Sequence, residues 1–121
     1  MPKWDSLNQK FVELYRQGEY DRAAIFAQKS IEVQAKELGW DHPEIATSLN
    51  NLASLYQDRN VYSKLETIFN QALAQAEKSL GRTHPSVAAY LKHLSSLYRA
   101  TTRIAMAETF EQSAAQISAT N

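Results

Sequence analysis

The feature that most constrains this chain is a segment that occurs twice at a fixed distance. Residues 38–56 read LGWDHPEIATSLNNLASLY and residues 80–98 read LGRTHPSVAAYLKHLSSLY, with ten of nineteen positions identical. A period of 42 residues therefore relates the two segments. Such a period indicates stacking of one supersecondary unit, because a single unit cannot bury its own apolar face. The 121 residues leave room for about three repeats.

The apolar residues within each repeat follow the periodicity of helices. Leu7, Phe11 and Leu14 have the i, i+4, i+7 spacing of one helix face. The chain has only three glycines and three prolines, which is less turn punctuation than strands and hairpins need. The pattern predicts six helices that begin near residues 4, 20, 43, 61, 85 and 104. They form three helix–turn–helix repeats, at about 4–38, 43–80 and 85–118, in a single domain.

The turns inside the repeats differ in how well their residues suit a helix end. Gly18 fits a C-terminus that needs a positive φ angle, and the period relates it to Asn60 and Thr102. Asparagine tolerates the left-handed region, whereas threonine does so poorly. We therefore expect the third repeat to be the weakest.

Two histidines occupy equivalent positions between repeats. His42 precedes Pro43 and His84 precedes Pro85, and proline is favoured in the first turn of a helix. Asp41 or His42 at the first junction, and Thr83 or His84 at the second, can cap the exposed N–H groups of the helix that follows. Neighbouring repeats are separated by roughly 10 Å, so the two imidazoles are not expected to share a metal ion. We predict structural roles for both histidines and no metal site.

Composition excludes several other classes of function. Thirteen basic and thirteen acidic residues cancel, and no basic run occurs, so we expect no nucleic-acid partner. The chain has no cysteine, which excludes disulfides and thiolate chemistry and fits a reducing compartment. It has neither an apolar N-terminal segment nor a run of about 18 apolar residues, so we expect no signal peptide and no membrane partner. These observations favour a cytoplasmic protein.

Three segments together resemble one known family. They are LNNLASLY at 49–56, the LGxxHP junctions at 38–43 and 80–85, and GEYDRA at 18–23. Their combination at a constant period resembles the tetratricopeptide repeat (TPR) in its 42-residue form, as in kinesin light chains. The resemblance covers nearly the whole chain. It implies an all-α, right-handed α-solenoid of three TPR helix–turn–helix repeats, and a scaffold whose concave groove binds a peptide or helix of a partner protein.

The resemblance also implies where such a groove lies. In TPR proteins the first helix of each repeat lines the concave face, and here polar positions are left over once the buried stripes are assigned. Asparagine suits the role because its amide both donates to and accepts from a peptide backbone. We single out Asn51 first, although exposed asparagines can also be merely solvated or assist packing between repeats. The predicted groove residues are Asn8, Val12, Thr47, Asn50, Asn51, Ser54, Gln57, Asp58, Lys92, His93, Ser96 and Arg99.

One family ligand is not expected. TPR domains that clamp the C-terminal carboxylate of heat-shock chaperones use two lysines, an arginine and two asparagines. The matching positions here are Asn8, Val12, Asn51, Ala89 and His93. Only Asn51 agrees, and the cations that would pair with the carboxylate are missing.

Catalysis is not expected either. The motifs GxSxG, HExxH and GxGxxG and the P-loop do not occur. His93 lies on the groove side, but as a general base it would need an orienting carboxylate, for which Asp58 is the candidate. A polar or pH-sensitive ligand contact is the preferred role for His93. We therefore predict no enzyme and no cofactor.

Two function classes stay open. The first is a module that binds a protein or peptide in the groove without chemistry. The second is self-assembly, because no seventh helix covers the last one and an exposed apolar patch invites a second copy. Homo-oligomerisation would then use Ile104, Phe110 and Ile117. The chain could also be the repeat segment of a longer signalling protein, although we expect Met1-Pro2 to be its natural N-terminus.

Overall fold

A computed structural model describes residues 3–58 and 62–120, except for the side chains of Lys3, Asp58 and Thr120. The described residues form helices and short turns, with no strand among them. The predicted all-α class is confirmed. The helices are α1 (Lys3–Arg16), α2 (Tyr20–Leu38), α3 (Pro43–Asp58), α4 (Tyr62–Leu80), α5 (Pro85–Ala100) and α6 (Ile104–Thr120).

The period of 42 residues reappears in the helix boundaries. Helices α2, α4 and α6 begin at Tyr20, Tyr62 and Ile104, each 42 residues after the previous one. Helices α3 and α5 begin at Pro43 and Pro85, again 42 residues apart. The sequence period therefore corresponds to a period of helices, as expected for helix–turn–helix repeats.

The chain packs as two compact units, which we call the N-terminal unit (through Ile68) and the C-terminal unit (from Phe69). In the N-terminal unit α1 packs along α2, and α2 also contacts α3. In the C-terminal unit α5 packs along α6. The prediction of one domain with three repeats stays a prediction.

Aromatic side chains hold the N-terminal unit together. The rings of Tyr15 and Tyr20 meet edge to face with centroids 5.1 Å apart, and Tyr56 and Phe11 adjoin them. Tyr56 is fully buried, and its hydroxyl donates to the Tyr20 carbonyl at 2.9 Å. The Tyr15 hydroxyl donates to the Leu55 carbonyl at 2.8 Å. These bonds join α1 and α2 to the end of α3 without leaving a buried hydroxyl unpaired.

The interface of α5 with α6 combines an aromatic stack with an ion pair. Tyr98 and Phe110 stack with centroids 5.3 Å apart, and the Arg103 guanidinium lies 4.1 Å from the centre of the Tyr98 ring. Arg99 on α5 donates to both carboxylate oxygens of Glu111 on α6. Ala107, Ala114 and Ile117 complete the buried face of α6.

One predicted exposure on α6 is wrong. Ile117 is only 6% exposed, because it lies three residues after Ala114 on the face that packs inward. Phe110 is half-buried against Tyr98. The large apolar side chains that α6 exposes are Ile104, as expected, and Met106, which the sequence analysis did not single out.

Both histidines between the repeats begin a helix, as predicted. The His42 Nδ1 atom accepts a hydrogen bond from the Glu44 backbone N–H at 3.1 Å. His84 does the same for the Ser86 N–H, also at 3.1 Å. Each imidazole thus satisfies one of the N–H groups that a helix start leaves unpaired.

The turns after α1 and α5 close in the same way. Gly18 has φ 80° and Thr102 has φ 62°. In each turn the next residue's N–H bonds to the carbonyl five residues before it, Glu19 to Leu14 and Arg103 to Tyr98. This is the helix end that glycine favours, so a β-branched residue at Thr102 is strained. Asn60, the equivalent residue of the middle repeat, lies outside the described residues.

The strain at this turn yields a testable prediction. Replacing Thr102 by glycine is expected to stabilise the protein by roughly 1 kcal/mol, since the left-handed region costs an L-residue about that much. The measurement is the urea midpoint of unfolding. Thr101→Gly is the control and should lower the midpoint, because Thr101 has φ −100° and its hydroxyl bonds to the carbonyls of α5. A lower midpoint for Thr102→Gly would contradict the strain.

Candidate functional site

The N-terminal unit contains a cavity of about 290 Å³ that we call the α1–α3 cavity. Helices α1, α2 and α3 all contribute to its wall, because the buried stripes leave an opening where they meet. Its lining combines an apolar floor with amide and hydroxyl groups, and it carries no charged side chain. The lining residues are Asn8, Phe11, Val12, Ala27, Ile31, Gln34, Ser48, Asn51, Leu52 and Leu55.

Three of the predicted groove residues come together in this cavity. Asn8 and Val12 reach it from α1, and Asn51 reaches it from α3. All three are exposed, Val12 to 41%, so a ligand can reach them. Their shared wall supports the interpretation of these positions as a surface for a ligand.

Other predicted residues of the N-terminal unit lie outside the cavity wall. Asn50 is exposed but does not line the cavity, since consecutive helical residues point about 100° apart. Thr47 bonds to the Pro43 carbonyl of its own helix at 3.2 Å. Ser54 is exposed and Gln57 is half-buried, and neither lines the cavity. The Asp58 side chain lies outside the described residues.

Four polar side chains beside the cavity form a hydrogen-bonded series, which we call the polar chain, and sequence reasoning missed it. Ser48 donates to Gln34 Oε1 at 2.9 Å, and Gln34 Nε2 donates to Ser30 Oγ at 3.1 Å. Ser30 in turn donates to Asn8 Oδ1 at 2.6 Å. Ser30 and Gln34 are only 1% and 2% exposed. The chain therefore links α3 to α2 and α2 to α1 through groups shielded from water.

In the C-terminal unit, four predicted residues lie close together on α5. Lys92, Ser96 and Arg99 are exposed at i, i+4 and i+7, on one side of the helix. His93 adjoins this side, but it is half-buried against Phe69, with ring centroids 5.5 Å apart. Arg99 is committed to Glu111, which lowers the pKa of that carboxyl group. The guanidinium is therefore not a free anion site.

A second cavity, of about 670 Å³, lies in the C-terminal unit. Its wall comes from the end of α4, the turn after it, Leu91 of α5 and the second half of α6. Arg82 and Glu77 form an ion pair of 3.8 Å in this wall. None of the predicted groove residues lines this cavity, and no sequence signal pointed to it.

Two of the described side chains, His93 and Tyr56, have pKa values shifted by burial. Burial lowers the pKa of His93, so the imidazole is neutral near physiological pH and can donate or accept a hydrogen bond. Burial also raises the pKa of Tyr56, which keeps its proton for the bond to Tyr20. Within residues 3–58 and 62–120, no three side chains of the His, Cys, Asp and Glu types gather as metal ligands do.

Comparison with known proteins agrees with the helical repeats. The model of the tetratricopeptide repeat family matches residues 8–64 and 61–119, which is most of the chain. The chain belongs to the tetratricopeptide repeat family. Members of this family generally mediate protein–protein interaction or scaffolding.

One curated protein is similar to the TPR chain in sequence, and one solved structure is similar to it in fold. It is 38% identical over 61 residues to tetratricopeptide repeat protein 19, mitochondrial, of Rattus norvegicus, a match over 50% of this chain and 16% of the rat protein. The crystal structure of BtubC (BKLC) from P. vanneervenii has the same fold, with a TM-score of 0.58 and 18% identity. That match covers 97% of this chain and 47% of BtubC. The TPR chain thus spans about half of one neighbour and about a sixth of the other. Among its described helices, none is long and apolar enough to cross a membrane.

The half-buried His93 on α5 predicts how the free energy of unfolding depends on pH. Because the pKa of His93 in the folded protein lies below the usual 6.5, the unfolded chain binds more protons between the two values. The contribution of His93 is full above pH 6.5 and is lost as pH falls through the folded pKa. His93→Gln should therefore flatten the pH dependence of the urea midpoint between about pH 5 and 7.5.

Lys92→Gln is the matched control for this measurement, because it changes an exposed neighbour on the same helix. It should keep the wild-type slope. Equal slopes for the wild type and His93→Gln would contradict the prediction.

Proposed function

We propose that this TPR chain is a non-enzymatic interaction module that binds a peptide or helix of a partner protein, with the α1–α3 cavity as an anchor point. The observation that carries the proposal is the convergence of Asn8, Val12 and Asn51 on one cavity wall. Thr47, Ser54 and Gln57 of α3 are further contacts on the same helix as Asn51. The predicted residues of α5, namely Lys92, His93, Ser96 and Arg99, form a separate candidate surface in the C-terminal unit. Membership of a family of interaction scaffolds supports the same function.

The dimensions and polarity of the cavity favour a small part of a larger ligand. Its volume of about 290 Å³ lies at the lower limit of the ~300–1,000 Å³ typical of sites for whole small molecules. An apolar floor with amides at the opening suits one uncharged side chain and the backbone that carries it. Affinity then comes from burying that side chain, and orientation comes from hydrogen bonds to the amides.

Two adjacent asparagines provide a test of this proposal. A peptide is first selected from a random library displayed on phage, and its affinity is then measured by calorimetry. Asn51→Ala should weaken binding about fivefold, the equivalent of one hydrogen bond. Asn50→Ala should leave the affinity within about twofold, because Asn50 is equally on the surface but outside the cavity wall.

A third variant tests the anchor itself. Val12→Asp places a carboxylate at the apolar opening and should abolish binding of an uncharged anchor. Thermal unfolding of all three variants shows whether the fold is intact. Equal losses for Asn50→Ala and Asn51→Ala, or no loss for Val12→Asp, would place the ligand elsewhere and overturn the proposal.

The second candidate function is self-assembly through α6. Ile104 and Met106 are 41% and 47% exposed at the start of this helix. The remaining exposed positions with described side chains carry a single charge, Glu108, among small and neutral residues. Interfaces are depleted of charge in this way at their centres, so a second copy is the occupant this face favours.

Light scattering over a concentration series tests this second candidate. If α6 forms an interface, Ile104→Lys should shift the molar mass from dimer to monomer, because the new charge would be buried at the contact. Ile25→Lys is the control, since Ile25 is 53% exposed on α2. Phe110→Glu is expected to lower the melting temperature instead, because its ring packs on Tyr98. A wild type that stays monomeric throughout would remove this candidate.

A further inference from the structure

The hydrogen bonds of the polar chain beside the α1–α3 cavity all have the same donor-to-acceptor direction. Ser48 donates to Gln34, Gln34 donates to Ser30, and Ser30 donates to Asn8. A serine hydroxyl has one proton to donate, and both hydroxyls have used theirs. Neither serine can therefore reverse its role, and the direction of all three hydrogen bonds in the polar chain is fixed.

This direction orients the amide at the end of the chain. Gln34 is held from both sides, with its oxygen toward Ser48 and its nitrogen toward Ser30. Ser30 accepts from Gln34 and so directs its own proton to Asn8 Oδ1. The Asn8 oxygen is occupied, and the Nδ2 group with its two protons is the part left for other partners. Hydrogen bonds in series polarise one another in a shielded interior, which strengthens this preference.

The two end residues of the polar chain, Asn8 and Ser48, therefore differ in whether they can donate or accept a further hydrogen bond. At the α1 end, Asn8 offers N–H donors. At the α3 end, Ser48 has spent its proton on Gln34 and offers oxygen lone pairs. Both residues line the cavity, whose wall carries no charged side chain. The cavity thus presents a donor and an acceptor in neutral surroundings.

We propose that the α1–α3 cavity recognises a neutral amide, as found in a peptide backbone or in an asparagine or glutamine side chain. Its carbonyl oxygen accepts from Asn8 Nδ2, and an N–H of the same segment donates to Ser48 Oγ. A carboxylate fits poorly, because it has no proton for Ser48 and finds no cation in the wall. An ammonium group fits poorly as well, because it has no acceptor for Asn8. This inference rests on the proposed function and specifies the ligand group that its anchor point selects.

Two small molecules of nearly equal shape test the ligand chemistry. In 4-methylpentanamide a neutral amide is the only polar group, whereas 4-methylpentanoate carries a carboxylate at the same position. Binding is followed by two-dimensional ¹H–¹⁵N NMR, in which the Asn8 side-chain NH₂ gives its own resonances. The neutral amide should shift these resonances and saturate at millimolar concentration, with the carboxylate about tenfold weaker or more. Equal binding, or no binding of the amide by the wild type, overturns the inference.

A substitution of Asn8, the last residue of the polar chain, tests the orientation of the Asn8 side-chain amide. Asn8→Asp keeps an oxygen that accepts from Ser30 but removes the two N–H donors, and Asn8 is exposed, so the fold is kept. Binding of 4-methylpentanamide should fall about tenfold, a loss typical of a missing hydrogen bond to a buried partner. Asn50→Asp is the matched control and adds the same charge outside the cavity wall. Its affinity should stay within about twofold of the wild type.

The same pair of variants separates this inference from the proposed function. In one outcome, Asn51→Ala and Val12→Asp weaken the binding of a selected peptide, whereas Asn8→Asp binds both the peptide and the amide as tightly as the wild type does. The proposed function is then supported, and the proposed preference for a neutral amide is wrong. If the peptide is insensitive to every change in the cavity wall, both fail. Weaker amide binding by Asn8→Asp, with Asn50→Asp unchanged, is the result that supports the inference.

Discussion

The N-terminal unit depends on the burial of one tyrosine. Tyr56 is fully shielded from water, and burying its hydroxyl without a partner would cost several kcal/mol. The backbone carbonyl of Tyr20 supplies the partner at 2.9 Å, and it does so at the first residue of α2. The end of α3 and the start of α2 must therefore stay in register for the bond to exist. Tyr15 adds the corresponding constraint on α1 through the Leu55 carbonyl.

This register brings the two sides of the α1–α3 cavity together. Because Tyr15 and Tyr56 hold one end of the three helices, residues about two turns away on α1 and α3 line the same cavity. Ser30 and Gln34 of α2 then lie between Asn8 and Ser48, where water cannot reach them. Either residue would be costly without the hydrogen bonds it makes, so the polar chain and the aromatic cluster favour the same arrangement. The structure thus uses two kinds of interaction to position one surface.

The positions of the helices could be predicted from the sequence because the 42-residue period relates equivalent helices to one another. The helices begin within about one residue of the predicted starts, and the apolar stripes at positions such as Leu49 and Leu94 are buried as expected. The prolines predicted where α3 and α5 begin, but the sequence left Asp41 or His42, and Thr83 or His84, as the capping residue, and the structure shows the histidine in both cases. Ile117 was expected to be partly uncovered because no seventh helix was predicted to cover α6, whereas it lies on the face of α6 that packs on α5.

The candidate site was only partly predictable, for a different physical reason. Family resemblance pointed to Asn8, Val12 and Asn51, which share the cavity wall, and Asn51 was singled out first, but the same list also contained Asn50, which does not line the cavity. Ser30 and Gln34 read as ordinary polar residues, since their burial depends on partners 22 and 14 residues away. Separations of 22 and 14 residues are unrelated to the period of 42, so comparing the repeats does not identify these hydrogen-bond partners.

The polar chain also affects the free energy of binding at the α1–α3 cavity. A free asparagine amide can turn either edge toward a ligand, and binding must then select one orientation at an entropic cost. Asn8 is held by Ser30 before any ligand arrives, so less of that cost remains. The bonds that make Asn8 selective are the same bonds that join α1 to α2. A change that loosens the packing of α1 is therefore expected to reduce selectivity as well as stability, because both depend on one set of hydrogen bonds.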